Sequence, residues 1–155
     1  MLKIDMKELV NVLKKRKLTI CSCESLTGGL FATRITSVSG ASKVFVGSYV
    51  TYQDIAKEIL LDGKDILNEV GAVSEKMAYN MAIKTKEKLR ADIAISFTGN
   101  AGPLPSEGKE VGLVYSCIII GDKVYEYEDH YKGTRNRIRN LCIYDAKQRL
   151  LEKLS

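Results

Sequence analysis

An alternation of strand-like and helix-like segments, interrupted once by a hairpin, constrains this chain more than any other feature. Leu18 to Cys23 reads as a short buried strand and Thr27 to Val38 as the helix that follows, closed by Ser39-Gly40. Val44 to Tyr52, rich in β-branched and aromatic residues, reads as a second strand, and Asp54 to Leu60 as one or two helical turns. Ser74 is the expected N-cap of a long helix to Leu89, with Met77, Ala78, Met81, Ala82 and Leu89 inward. Asp92 to Phe97 is the next strand. Only then do two strands follow one another, where Val111 to Ile120 and Val124 to Tyr131 flank the turn signal Gly121-Asp122. Ile4, Leu9, Val10, Val12 and Leu13 place a helix over 4–16, and a last amphipathic helix runs from Thr134 to Leu154. The order predicts an α/β fold: a single-domain, three-layer α/β sandwich with a mixed, partly parallel sheet over residues 1–155.

Composition narrows the functions. The 155 residues suffice for one well-buried domain. No apolar run approaches the ~18 residues of a membrane span. The stretch Met1 to Glu8 lacks the apolar core of a secretion signal, so a cytoplasmic location is expected. A net charge of +5 suits an anionic small-molecule substrate without requiring one. Its sources, Lys14-Lys15-Arg16-Lys17 and Arg135, Arg137 and Arg139, form no basic stripe interleaved with aromatics, so no nucleic-acid site is expected. Cys21 and Cys23 point the same way on one strand, Cys117 and Cys142 lie elsewhere, and there is one histidine. Reduced, buried thiols and no metal are expected.

Three constellations carry chemistry. In Cys23-Glu24-Ser25-Leu26-Thr27-Gly28-Gly29, a serine sits on a strand-to-helix turn whose free amides suit a phosphate or an oxyanion. Ser25 needs a base. His130 is a poor one, lying on a strand beside Glu128 and Asp129. Lys57, beside Ile55, Ala56, Ile59 and Leu60, serves if burial populates its neutral amine, with Tyr52 as proton relay or orienting group. The alternative is a solvated helix lysine and an edge-packed tyrosine. Glu24 either steers Lys57 or ends its strand in water. The second constellation is the loop Thr98-Gly99-Asn100-Ala101-Gly102-Pro103, after a strand, where α/β proteins place ligands. In the third, Arg135 and Arg139 share a helix face and either clamp a phosphate, pair with Glu126 or Glu128, or meet a partner subunit.

Together these segments resemble the CinA C-terminal domain family, known for nicotinamide-nucleotide amidohydrolases. Glu24-Ser25-Leu26-Thr27-Gly28-Gly29 stands against the family's E-S-C-T-G-G, and Val50-Thr51-Tyr52-Gln53-Asp54-Ile55-Ala56-Lys57 against V-x-Y-S-N-E-A-K. Gly71-Ala72-Val73-Ser74-Glu75 matches a third motif. Thr98 to Pro103 matches T-G-I-A-G-P except at Asn100, Val111-Gly112 follows, and Gly133-x-Arg135-x-x-Ile138-Arg139 matches G-D-R-x-x-I-R with Thr134 for the aspartate.

The resemblance implies deamidation of nicotinamide mononucleotide to nicotinic acid mononucleotide and ammonia, without metal or cofactor. Ser25 would be the nucleophile, Lys57 the general base and Tyr52 an assistant. Substrate would be held by Glu24, Thr27, Gly28 and Gly29, by Thr98, Gly99, Asn100, Ala101 and Gly102, and by Arg135 and Arg139. Backbone amides near Thr27-Gly28-Gly29 would hold the oxyanion, and the loop with the arginines the ribose phosphate. The resemblance also implies a homo-oligomer, a dimer. Leu26 in place of cysteine, Gln53-Asp54-Ile55, and Leu104-Pro105-Ser106-Glu107-Gly108 in place of a G-G-S segment depart from the family pattern. Those departures support the alternatives of a catalytically silent nucleotide- or protein-binding relative, or an amidase for another small amide.

Overall fold

The computed structural model describes residues 3–155; Met1 and Leu2, which begin the stretch read above for a secretion signal, lie outside it. Its helices are α1 (Lys7–Arg16), α2 (Leu30–Thr36), α3 (Asp54–Leu61), α4 (Lys64–Val70), α5 (Glu75–Leu89) and α6 (Arg135–Leu154), and its strands β1 (Ile20–Glu24), β2 (Phe45–Val50), β3 (Ile93–Gly99), β4 (Leu113–Ile120) and β5 (Lys123–His130). The strands form one sheet in the order β2-β1-β3-β4-β5. β1 runs parallel to β2 and β3, while β3, β4 and β5 are successively antiparallel, so the expected mixed sheet is present.

Strand alternation sends successive side chains to opposite helical layers. Ile93, Ile95 and Phe97 of β3 join Ile20, Phe31, Ile35, Ile138 and Ile143 in the core shared with α1, α2 and α6. Ala94 faces the other way with Cys21, Cys117 and Ile119, against Ala78 and Ala82 of α5. Small residues on both sides allow close approach, and the buried Ser96 hydroxyl donates to the Ala78 carbonyl at 2.6 Å. Further along, Cys23 packs with Leu61, Met77 and Met81, and with Ile66 and Leu67 of α4. These contacts make the three layers. All four cysteines are buried and free, with Cys21 and Cys23 on the same face.

The expected Ser74 cap is present, accepting from the Met77 amide; Thr134, read as the start of the last helix, stands just before it as its cap and accepts from the Arg137 amide. Other elements differ from expectation: α1 starts at Lys7 rather than residue 4, β4 at Leu113 rather than Val111, and β3 runs on through Thr98 and Gly99, which were read as loop but pair with Tyr115 and Val114 of β4. α2 starts at Leu30 rather than Thr27, because Gly28 and Gly29 take left-handed backbone (φ +59° and +96°) and hold residues 26–29 in a turn. α4 was not read from the sequence, for it buries no residue fully and so carries only a weak apolar period. Phe31, fully buried and 6.0 Å ring to ring from Phe97, fixes α2 onto the sheet. Truncating it to alanine is expected to cost about 3–5 kcal/mol. Among the described residues no helix is long and apolar enough to cross a membrane.

Candidate active site

Because β1, β2 and β3 are parallel, the residues that follow them meet at one edge of the sheet. Ser25 follows the central strand. Its amide donates to the Phe97 carbonyl at 3.1 Å, and the Glu24 carbonyl accepts from the Thr51 amide at 2.8 Å, so ladder bonds grip both sides of the serine. The Gly28 amide then closes a turn on the Ser25 carbonyl at 3.0 Å.

Glu24 neither steers Lys57 nor ends its strand in water. It is fully buried and accepts from the Thr27 hydroxyl at 2.8 Å and from the Phe31 and Ala32 amides at 3.0 and 3.1 Å. Ser22 Oγ adds a contact at 3.2 Å. Those amides belong to the first turn of α2, whose capping residue Gly29 has no side chain to offer, so Glu24 caps the helix from the strand. Its role is to hold the turn that carries Ser25.

Lys57 lies in the first turn of α3, which begins right after β2. It is 1% exposed, and its Nζ lies 2.9 Å from Ser25 Oγ. The same nitrogen donates to the Thr51 carbonyl at 2.6 Å and contacts the Tyr52 carbonyl at 3.4 Å. Burial lowers its pKa below the ordinary 10.5, against opposing pulls from Asp54, Cys23 and Glu107. A neutral amine has two N–H donors and one lone pair. With both donors on the two carbonyls, that form would turn its lone pair to the serine hydroxyl, whereas an ammonium would donate to Ser25 Oγ as a third acceptor. The structure thus brings Ser25 and Lys57 together, as expected, in a buried 2.9 Å contact.

Tyr52 stands differently from the proton relay expected of it. Its phenol, on a side of the pocket 54% exposed at this residue, accepts from Arg135 Nη2 at 2.6 Å, and only its main-chain carbonyl reaches Lys57. The two arginines also part company. Arg135 points into the pocket, donating to the Gly102 carbonyl. Arg139 reaches behind the serine turn, with Nε on the Leu26 carbonyl at 3.0 Å and Nη2 on the Thr27 carbonyl at 3.1 Å. It braces the turn and does not line the pocket, and Thr27, Gly28 and Gly29 do not line it either.

The pocket has a volume of about 620 Å³, within the range of small-molecule sites. Ser25, Leu26 and Lys57 form its reactive end, Thr98 to Gly102 a wall, and Arg135 and Tyr52 its outer side. Asn100, the departure from T-G-I-A-G-P, is nearly buried and ties the loop to itself: its amide nitrogen donates to the Lys109 and Glu110 carbonyls and its oxygen accepts from the Gly102 amide. Gly99 admits no side chain, since a Cβ there would sit 2.6 Å from the Leu113 carbonyl. The Thr98 hydroxyl is committed to the Ala72 carbonyl at 2.6 Å.

Asp54, Ala72, Val73, Ser106 and Glu107 also line the pocket and were assigned no role from sequence. Glu107 accepts from the Ala72 and Val73 amides at 2.9 and 3.0 Å, pinning the 103–109 loop to the start of α5. Burial opposes its charge, but the Val73 and Ala72 amides and Lys109 outweigh that and hold its carboxyl below the ordinary value. The sequence holds no signal for this clasp, because Glu107 lies in the 104–108 segment that departs from the family pattern.

The fold and site define an α/β protein with a buried serine–lysine pair opening into a pocket at the carboxyl edge of a mixed sheet. The sequence model of the CinA C-terminal domain matches residues 4–154, and the chain belongs to that family. A CinA-like protein of Prochlorococcus marinus (strain MIT 9301) is 43% identical over 152 residues, covering 92% of this chain but 36% of the relative, so the chain spans about a third of that protein's length. Among solved structures, a competence-damaged protein (CinA) superfamily protein from Escherichia coli matches with a TM-score of 0.91 at 30% identity, covering 94% of this chain and 86% of that one. The competence/damage inducible protein CihA from Agrobacterium tumefaciens matches with a TM-score of 0.91 at 32% identity, covering 98% and 97%.

Proposed function

We propose that this chain is a metal-independent amidohydrolase that deamidates nicotinamide mononucleotide, with Ser25 as nucleophile and Lys57 as general base. The observation that carries the reading is the 2.9 Å contact between Lys57 Nζ and Ser25 Oγ, buried at the end of a pocket. Neutral Lys57 takes the Ser25 proton as Oγ bonds to the carboxamide carbon. Of the turn after Ser25 only Leu26 lines the pocket, so its backbone amide is the candidate donor to the resulting oxyanion, in place of the Thr27-Gly28-Gly29 amides expected from the resemblance, of which that of Gly28 is taken by the Ser25 carbonyl. Lys57 ammonium returns its proton to the leaving nitrogen, the C–N bond breaks and ammonia departs. Water then attacks the acyl-enzyme while Lys57 accepts its proton, releasing nicotinic acid mononucleotide and restoring Ser25. The substrate phosphate lies towards Arg135, the cation on the outer side of the pocket.

The reading is tested by ammonia release from nicotinamide mononucleotide, with Ser25→Ala and Lys57→Ala alongside. Release by the unaltered protein that both variants lose while folded supports it. Absence of release overturns it in favour of binding without turnover or a different amide, the readings to which the changed 53–55 segment points. A cytoplasmic location, where an intracellular nucleotide would be met, and a homodimer, which the family resemblance implies, belong to the same proposal.

A further inference from the structure

Asp54 lines the pocket but takes no part in the serine–lysine contact. It is the first residue of α3 and stands three residues before Lys57, so the two side chains share one face of the helix. Lys57 Nζ reaches back past the start of that helix, to the Thr51 and Tyr52 carbonyls at 2.6 and 3.4 Å. The amine is thereby carried to the end of α3 where Asp54 stands. Of the pulls that oppose the lowering of the Lys57 pKa, that of Asp54 is the largest.

Two carboxylates line the pocket, and they differ in what they are free to do. Both oxygens of Glu107 are taken by the Ala72 and Val73 amides. Among the described residues the Asp54 carboxylate enters no ion pair and no side-chain hydrogen bond. Such a group accepts hydrogen bonds and donates none. A carboxamide brings an –NH2 that can donate to it, whereas a carboxylate in the same place brings only acceptors and a like charge. Amide hydrolysis turns the first group into the second, beside an amine that holds an acid as an ion pair whenever it is protonated.

We infer that Asp54 is a specificity-determining residue that favours the carboxamide substrate over the carboxylate product at the reactive end of the pocket, and so clears the acid after each turnover. The inference rests on the amidase reading for the identity of those two ligands. The charge selection itself rests on the position of Asp54. An acid in the first turn of α3 also complements the helix dipole, but that duty alone would leave the choice between amide and acid untouched.

The test is Asp54→Asn, which keeps the shape, removes the charge and adds a donor. Binding of nicotinamide mononucleotide and of nicotinic acid mononucleotide is measured calorimetrically in a Ser25→Ala background, and product inhibition by the acid in the active protein. Circular dichroism checks the fold. The unaltered protein is expected to bind the amide more tightly than the acid. Asp54→Asn is expected to tighten the acid about fivefold, the scale of one like charge at contact distance in a water-exposed site, and to change the amide less than about twofold. The substitution also removes an upward pull on the Lys57 pKa, which by itself would loosen the acid, so tightening cannot arise through the lysine. Equal changes for amide and acid, no change in either, or an unaltered protein that binds the acid as tightly as the amide would overturn the assignment. If no ammonia is released yet the preference for the amide is present and is lost in Asp54→Asn, the amidase reading fails and the charge selection stands. If ammonia is released and Asp54→Asn leaves inhibition by the acid unchanged, the amidase reading stands and the selection fails. An unaltered protein that binds neither ligand overturns both.

Discussion

Two groups in this molecule have the chemistry of a base beside a partner, and their surroundings push them in opposite directions. Lys57 is 1% exposed, and burial pulls its pKa down. His130 stands between Glu128, 2.8 Å from Nε2, and Glu110 at Nδ1, with 49% of its side chain exposed, and those carboxylates raise its pKa. The residue type usually chosen as a base near neutral pH is thus drawn towards its protonated form at the surface. The type usually charged is desolvated beside a serine. Burial, rather than side-chain identity, decides which can accept a proton.

The sharpest way to break this comparison is to remove each base. Lys57→Ala is expected to lower kcat for amide hydrolysis by on the order of 10²–10⁴-fold, the range for loss of a general base. Steady-state ammonia release reads it. A Lys57→Ala protein that keeps most of its rate would place the base elsewhere.

The next effect is on the turn. Arg139→Ala removes the donors that brace the Leu26 and Thr27 carbonyls and is expected to lower kcat about tenfold while leaving KM for the phosphorylated substrate within about twofold. Arg135→Ala, four residues earlier on the same helix but lining the pocket, is expected to do the opposite, raising KM for the phosphorylated substrate more than it lowers kcat. Glu24→Ala, read by urea unfolding, is expected to cost about 1–3 kcal/mol, since it strands buried amides of α2.

A smaller effect sharpens the electrostatics. The folded-state pKa of Lys57 lies below its unfolded value of about 10.4. Between the two, the unfolded chain binds more protons, so this group makes stability rise with pH across that window. Lys57→Met is expected to flatten that rise in denaturation midpoints measured on the alkaline side of neutrality. His130 has the reverse sign: its raised pKa gives a contribution fully present below about 6.5 and lost as pH rises through the folded-state value. His130→Asn is expected to flatten only that trend and to leave amidase activity unchanged, the smallest effect of the set.

The layers were legible in the sequence because they rest on local signals, whereas such signals leave Lys57 open between a base and a solvated helix lysine, and only the family resemblance joins it to Ser25, 32 positions away. Strand alternation, the Ser74 cap and the Gly121-Asp122 hairpin are local, and the segment from Val50 to Lys57 carries the lysine from the end of β2 onto the first turn of α3. What was not legible depends on where side chains meet in space. Spacing put Arg135 and Arg139 on one face, yet their neighbours differ, a pocket rim for one and the back of a turn for the other. Glu24 reads as polar at a strand end, and only the left-handed Gly28-Gly29 turn brings the amides of α2 back over it. Tyr52 was tied to Lys57 by proximity in sequence, whereas its phenol belongs to a residue 83 positions away.

The most direct test of the central claim is the ionisation of Lys57 itself, followed by the ¹³Cε shift of lysine-labelled protein against pH, with Lys57→Arg identifying the signal. Burial beside Ser25 predicts an apparent pKa below the ordinary 10.5. A value at or above 10.5 would mean that Lys57 stays an ammonium through the physiological range and would contradict its assignment as the base.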